Sequence, residues 1–296
     1  MPFLPLTVEE MHQYGWERPD FVYVIGDAYI DHPSFGPAII SRVLENFGYK
    51  VCIISQPDIQ KNADFKRFGL PRLAFLVSSG NIDSMVNHYT VSKRRRKKDY
   101  YTPGAVMGKR PDRALIRYSS KLRELYPHAT IIIGGIEASL RRLNHYDYWD
   151  NSVRRSILLD SKADLLLYGM GEKTIVQVAD ALDSGLAVQD LIYLRNTVWK
   201  TKDQTLLPSH HVLLPSYDAV LADKKIMFGR FKFNIGIPML LPDKLWWSPT
   251  ETALSFKIRR NFRFLPKKWM PPMRFPTCAD ATRSSNNKVM SRRLTR

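Results

Sequence analysis

Cysteine is almost missing from this chain of 296 residues, which contains only Cys52 and Cys278. Two widely separated thiols exclude a disulfide framework and a cysteine-rich metal site. Long apolar runs are missing too: no stretch reaches the ~18 residues that a membrane-spanning helix needs. The first ten residues hold no basic leader and turn acidic at Glu9 and Glu10, unlike a secretory signal. A cytoplasmic protein without a membrane partner is the expectation. No Gly-x-Gly-x-x-Gly follows an apolar run, and Gly-x4-Gly-Lys-Ser/Thr does not occur, so neither common nucleotide fingerprint is present. There is no internal repeat.

The composition is otherwise that of a globular protein, 44% hydrophobic and 25% charged. The net charge of +17 is unevenly placed. Residues 1–224 carry 29 basic and 25 acidic side chains, whereas residues 225–296 carry 16 and 3. The basicity belongs to the final quarter of the chain.

Along the chain, Thr7 and Glu10 have the spacing of a capping box at the start of a short helix running to about Tyr14. Residues 21–25 form the first convincing strand, followed by a loop with His32-Pro33 and a helix over residues 37–47 that Gly48 terminates. Residues 51–54 give the second strand, and strand, helix and strand make a parallel βαβ unit. Residues 73–77 make a third strand, and 82–111 a long insertion with little periodicity. A helix is expected over 112–126, strands over 130–133 and 165–168, and a helix over 172–183. Residues 191–193 and 197–199 read as two further short strands. The predicted architecture is α/β, an open parallel doubly wound sheet of flavodoxin-like or cobalamin-binding-like form, followed by an irregular basic tail. The divisions expected are a helical lead-in over 1–15, the α/β domain over 16–224, and the tail over 225–296.

The runs at 130–133 and 165–168 have the length and glycine boundaries of strands buried on both faces. Their exits, Gly134-Gly135-Ile136-Glu137 and Gly169-Met170-Gly171-Glu172, border the kind of crevice where open sheets bind ligands. Gly134, Gly135, Gly169 and Gly171 suit either a small-molecule site or turns that simply need glycine. Glu137 and Glu172 fall in first helical turns, where a carboxylate favours the positive end of the helix dipole, and that structural role is the favoured reading. Asp27, His32, Glu137, His145 and Asp147 could supply acid–base chemistry, but sequence does not fix their distances. No catalytic residue and no metal ligand set is assigned. His32 is read as a loop hydrogen-bonder. Lys93, Arg94, Arg95, Arg96, Lys97 and Lys98, followed by Tyr100 and Tyr101, form the strongest local nucleic-acid signal. A solvated loop is the favoured reading of that run. Arg141, Arg142, Arg154 and Arg155 either extend it or pair with Asp147, Asp150 and Asp160.

Four wordlike segments carry a family resemblance: residues 26–36, residues 80–90, residues 134–149 with Gly134-Gly135-Ile136-Glu137 and His145-Tyr146-Asp147-Tyr148-Trp149, and residues 154–172. Over residues 1–224 the chain resembles the N-terminal domain of YgiQ-type radical SAM proteins, a family of iron–sulfur proteins. The resemblance implies a four-iron cluster and S-adenosylmethionine in an intact member, the cluster lying in a following barrel-like catalytic domain. Such a cluster is held by three cysteine thiolates, usually Cys-x3-Cys-x2-Cys. With two cysteines, this chain cannot build one, so it is expected to be an inactive fragment whose partner is the missing barrel. Some radical SAM enzymes carry cobalamin-binding domains of this architecture, with Asp-x-His-x-x-Gly in the loop. Here Asp31 directly precedes His32, and the pattern departs. The tail beyond 225, with Trp246, Trp247 and Trp269 and with disorder expected at 284–287 and 292–296, reads as out-of-frame translation or a degraded gene remnant, or else as a nucleic-acid-binding extension. A free-standing ligand-binding module is the remaining alternative.

Overall fold

A computed structural model describes residues 2–206, 211–223, 245–248 and 253–257. The strands are β1 (Phe21–Ile25), β2 (Val51–Ser55), β3 (Ala74–Ser78), β4 (Ile131–Ile133), β5 (His145–Asp147), β6 (Ser152–Arg154), β7 (Leu165–Leu167), β8 (Thr197–Thr201), β9 (His211–Leu213), β10 (Leu245–Ser248) and β11 (Ala253–Lys257). The helices are α1 (Val8–Gln13), α2 (Gly36–Asn46), α3 (Asn62–Lys66), α4 (Ser84–His88), α5 (Ala114–Leu125), α6 (Gly135–Leu140), α7 (Ile157–Asp160), α8 (Glu172–Asp183) and α9 (Tyr217–Ala222). One sheet runs β2-β1-β3-β4-β7-β8-β11-β10-β9, and β5 and β6 form a separate hairpin.

The first five strands of the large sheet are parallel, in the flavodoxin-like order expected from the sequence. All five residues of β1 are buried, because both faces are covered. Val22 and Val24 join Cys52, Ile54, Phe75, Val77, Ile131 and Ile133 on the face covered by α5 through Leu115, Tyr118 and Leu122. Phe21, Tyr23 and Ile25 join Ile53, Leu76 and Ile132 on the opposite face, under Leu44 of α2 and Ile175 and Val178 of α8. The period of two thus divides each strand between two cores, which is what winding a sheet with helices on both sides requires. Burying one Val, Leu or Ile side chain stabilises by about 1.5–3 kcal/mol.

Two expectations need correction. Residues 191–193 are not a strand but part of a 3-10 segment, Val188–Tyr193, whose Leu191 is buried in the α8-side core. The segment beginning at Thr197 is a strand, yet it runs antiparallel to β7, so the sheet is mixed. The insertion expected to lack periodicity contains α4, capped by Asp83, whose carboxylate accepts from the amides of Met85 and Val86. From the basic tail, β10 and β11 pair antiparallel with each other, and β11 continues onto β8. Ser284–Asn287 and the final five residues lie outside the described residues, as does Trp269.

The lead-in follows its sequence signal closely. The Thr7 hydroxyl accepts from the Glu10 amide, while the Glu10 carboxylate accepts from Thr7 and Leu6. This is the reciprocal capping box.

Candidate functional site

The winding reverses between β1 and β3, which lie side by side in the sheet. Open α/β sheets take ligands where the loops part at such a point. Here a side chain of the chain itself fills the gap. Arg110, 1% exposed, donates from Nη1 to the Ser79 carbonyl at 2.7 Å and lies 2.7 Å from Asp27 Oδ1. Its Nη2 is 3.1 Å from Asp99 Oδ2. Asp27 Oδ2 accepts from the Asn81 amide at 2.6 Å. Two glycines make room for this arrangement. A Cβ on Gly26 would overlap the Ser79 carbonyl, and one on Gly80, whose φ is +107°, would overlap the Asp27 carboxylate.

Burial pushes the Asp27 carboxyl up to about 6, with Arg110 and the Asn81 amide pulling it back only part of the way. Burial acts the same way on Asp99, but there the Tyr101 amide and Arg110 outweigh it and hold the carboxyl below its usual range. Residues 99–110 therefore form a strap over the sheet edge, also pinned where the Ala28 amide donates to the Tyr101 carbonyl at 2.8 Å. His32 is exposed in the neighbouring loop, and its Nδ1 accepts from the Ser34 amide at 3.1 Å. It stabilises the loop, as the sequence reading favoured.

Glu137 points inward from the first turn of α6 and is buried. Its carboxylate accepts from the Ser84 amide at 2.9 Å and from the Leu115 amide at 3.3 Å. Three helices thus begin around one carboxylate, α4 and α5 giving it their free amides and α6 carrying it. Gly134, Gly135 and Gly169 come together on an exposed rim. Gly134 lies beside the Leu167 carbonyl, a Cβ on Gly135 would come within 3.3 Å of Ser78, and the Gly169 amide donates to Ser139 Oγ at 3.1 Å. Gly171 and Glu172 open α8 next to that rim. Ile136, Leu140 and Met170 project from the rim into solvent, Met170 being 81% exposed.

The acid–base candidates are not gathered into one centre. Asp27 faces Arg110, Glu137 faces the helix amides, and Asp147 accepts from Arg113 Nη2 and the Trp149 amide and pairs with Arg154. His145 has its Nδ1 3.1 Å from the Leu143 carbonyl, and burial pushes its ring down to about 4. Arg154 pairs with Asp147 and Asp150, Arg155 with Asp160, and Arg141 with Asp83. The Arg142 guanidinium stacks 5.0 Å over the Tyr168 ring. Each of these four arginines is engaged within the fold, three with aspartates and Arg142 with a ring.

All six cations of that run are exposed, while the backbone beneath them is fixed. The Arg96 amide donates to the His88 carbonyl at 2.7 Å, and Tyr89 and Lys98 make bridges to Arg95 and Val106. The run borders an apolar depression of about 220 Å³ lined by Val86, Tyr89, Val91, Arg96, Tyr148 and Trp149. Lys93 Nζ lies 4.8 Å over the Tyr148 ring and donates to the Trp149 carbonyl at 3.0 Å. Tyr89 and Trp149 pack at 5.1 Å between ring centroids.

The donor chemistry of the chain does not fit a four-iron cluster. Cys52 is buried in β2, and burial pushes its thiol up to about 12. Cys278 lies outside the described residues. Among the described residues, no group of three His, Cys, Asp or Glu side chains could hold a metal ion, and no helix is long and apolar enough to cross a membrane. Sequence reasoning missed Arg110, Asp99, Tyr148 and Trp149 as members of shared arrangements. Their partners are distant in the chain, and no local spacing marks them.

The family model described as "Radical SAM N-terminal" matches residues 3–235. A UPF0313 protein of Clostridium perfringens is 57% identical over 232 residues, which is 78% of this chain and 35% of the relative. One from Clostridium botulinum is 54% identical over 234 residues, 79% of this chain and 36% of the relative. The chain spans about a third of the length of these curated relatives. Among solved structures, the radical S-adenosylmethionine methyltransferase TsrM of Kitasatospora setae aligns with a TM-score of 0.42 at 14% identity, over 62% of this chain and 29% of that one.

Proposed function

The chain belongs to the radical SAM N-terminal family, and from that premise we propose that it is the non-catalytic α/β portion of a YgiQ-type radical S-adenosylmethionine protein. One observation carries this reading: a domain matched over residues 3–235 holds one cysteine, Cys52, and the whole chain two, where the family's cluster calls for three thiolates. The chemistry then belongs to sequence that this chain does not span. Its own contribution is a mixed sheet whose parallel strands end at a carboxyl edge that Arg110 closes internally and that presents Ile136, Leu140 and Met170 outward. An apolar rim on a sheet edge is suited to covering by another domain.

The reading is tested by co-purification with the remaining two-thirds of the Clostridium perfringens relative. Stable association, weakened by Leu140→Glu and by Met170→Glu, supports it. Failure of the wild-type chain to associate contradicts it. The domain of residues 16–224, an out-of-frame origin for the tail, now set beyond residue 235 because the family match runs past 225 to that point, and a cytoplasmic location belong to the same proposal. Translating the other two frames past codon 235 tests the second point, and a Cys-x3-Cys-x2-Cys motif in one of them is the supporting result.

A further inference from the structure

The cations at 93–98 make no direct ion pair among the described residues, although the charge of Arg95 helps to hold the Asp112 carboxyl below its usual range. Arg110, Arg113, Arg141, Arg154 and Arg155 each pair with an aspartate, while none of the six forms a salt bridge among the described residues. The nearby carboxylates are already engaged. Asp112 takes the His88 ring and the Tyr89 hydroxyl, each at 2.6 Å, and Asp147 and Asp150 take Arg113 and Arg154. Lys93 lies over the Tyr148 ring and donates to the Trp149 carbonyl, and the other five charges stand in solvent on a backbone fixed by hydrogen bonds, so little backbone ordering remains to oppose a partner.

Beside this charge lies apolar and aromatic surface that the fold leaves uncovered. Val91 is 84% exposed, Val86 and Tyr148 about half exposed, and Tyr100, at the far end of the run, 81% exposed. We propose that this groove, with the 93–98 cations along its rim, binds single-stranded nucleic acid. Phosphates answer the cations, and an unstacked base lies against Val91 and the Tyr148–Trp149 floor. A duplex keeps its bases stacked on one another and offers the floor no ring face. An acidic peptide would use the cations and leave the floor bare. The depression is smaller than the roughly 300–1,000 Å³ pockets that enclose drug-sized ligands, which fits an open platform for a base. The inference is independent of the function proposed above.

The test is fluorescence anisotropy of the full chain with labelled oligouridylate and oligothymidylate, with heparin as a polyanion lacking bases. Three variants are compared with the wild type: the triple Arg94→Ser, Arg95→Ser, Lys97→Ser; Val91→Asp; and Tyr148→Ala. The first two change only exposed side chains, and thermal melts verify that all three remain folded. Both oligonucleotides are expected to bind, with log K falling against log salt by about 0.7 for each phosphate neutralised. The triple variant should lose about tenfold in affinity and show a shallower slope. Tyr148→Ala should weaken oligonucleotides about tenfold and heparin much less, while Val91→Asp, which adds a repelling carboxylate, should weaken oligonucleotides at least as much. The basic segment beyond 225 is present in every variant, so differences report the groove. Absence of oligonucleotide binding, or binding unchanged by all three variants, overturns the proposal. Equal loss of heparin and oligonucleotide in Tyr148→Ala also overturns it, reducing the effect to polyanion attraction. Association of the remaining two-thirds of the relative that Val91→Asp abolishes, without oligonucleotide binding, makes the groove a domain interface and likewise overturns it.

Discussion

A guanidinium removed from water must have its charge answered, and in this chain Asp27 and Asp99 do so for Arg110. Removing the cation would leave two buried carboxylates facing each other across the strap. Arg110→Met is therefore expected to cost about 3–5 kcal/mol, read from urea unfolding; a loss below about 1 kcal/mol would mean that the site relaxes or takes up water. His145 makes a pH-dependent contribution. Its ring titrates near 6.5 when unfolded but only at about 4 in the fold. Its contribution is complete above pH 6.5 and is lost as the pH falls towards 4, because only the unfolded chain takes up the proton in that window. His145→Gln should show a smaller drop in urea midpoint between those pH values than the wild type. Asp27 acts with the opposite sign: its folded carboxyl, near 6, lies above the unfolded value, so its contribution grows as the pH falls through 6. The wild-type profile sums both, and the difference between variants isolates the histidine.

Secondary-structure elements meet where Glu137 receives amides from α4 and α5 while starting α6. Glu137→Gln keeps the volume but sets an amide nitrogen against one of the two donors. The expected cost is about 1–3 kcal/mol, measured by thermal or urea unfolding, with the first loss of hydrogen-exchange protection in α4 and at the start of α5. An unchanged exchange pattern would show that these helices do not depend on the shared carboxylate. The parallel strands were legible in the sequence because apolar runs ending at glycine leave few alternatives. Helix α8 was legible to its ends for a related reason, since Gly171 and Gly185 bracket an amphipathic run. The β5–β6 hairpin was not. His145-Tyr146-Asp147 and Ser152-Val153-Arg154 show no apolar alternation, and their hairpin is tied together by Asp147, Asp150, Arg113 and Arg154. Residues 191–193 were misread because a short apolar triplet suits a buried 3-10 turn as well as a strand. The glycine exits were visible in sequence as a rim. The Arg110 plug that closes the crevice beside it was not, since Asp27 comes from a distant segment and Asp99 from an irregular stretch with no regular spacing to Arg110.

For the molecule as a whole, family membership and cysteine content point in one direction. The domain supplies a closed sheet edge, an apolar rim and an exposed basic strip, and it lacks the three thiolates that radical S-adenosylmethionine chemistry requires. The split in charge runs alongside it, with nearly balanced residues 1–224 followed by a strongly basic segment. The most direct test of the central claim is anaerobic reconstitution of the purified chain with iron and sulfide, reading bound iron and the charge-transfer absorption of a cluster. The account predicts that neither survives desalting. A four-iron cluster retained by the chain, and lost on Cys52→Ser or Cys278→Ser, would contradict it.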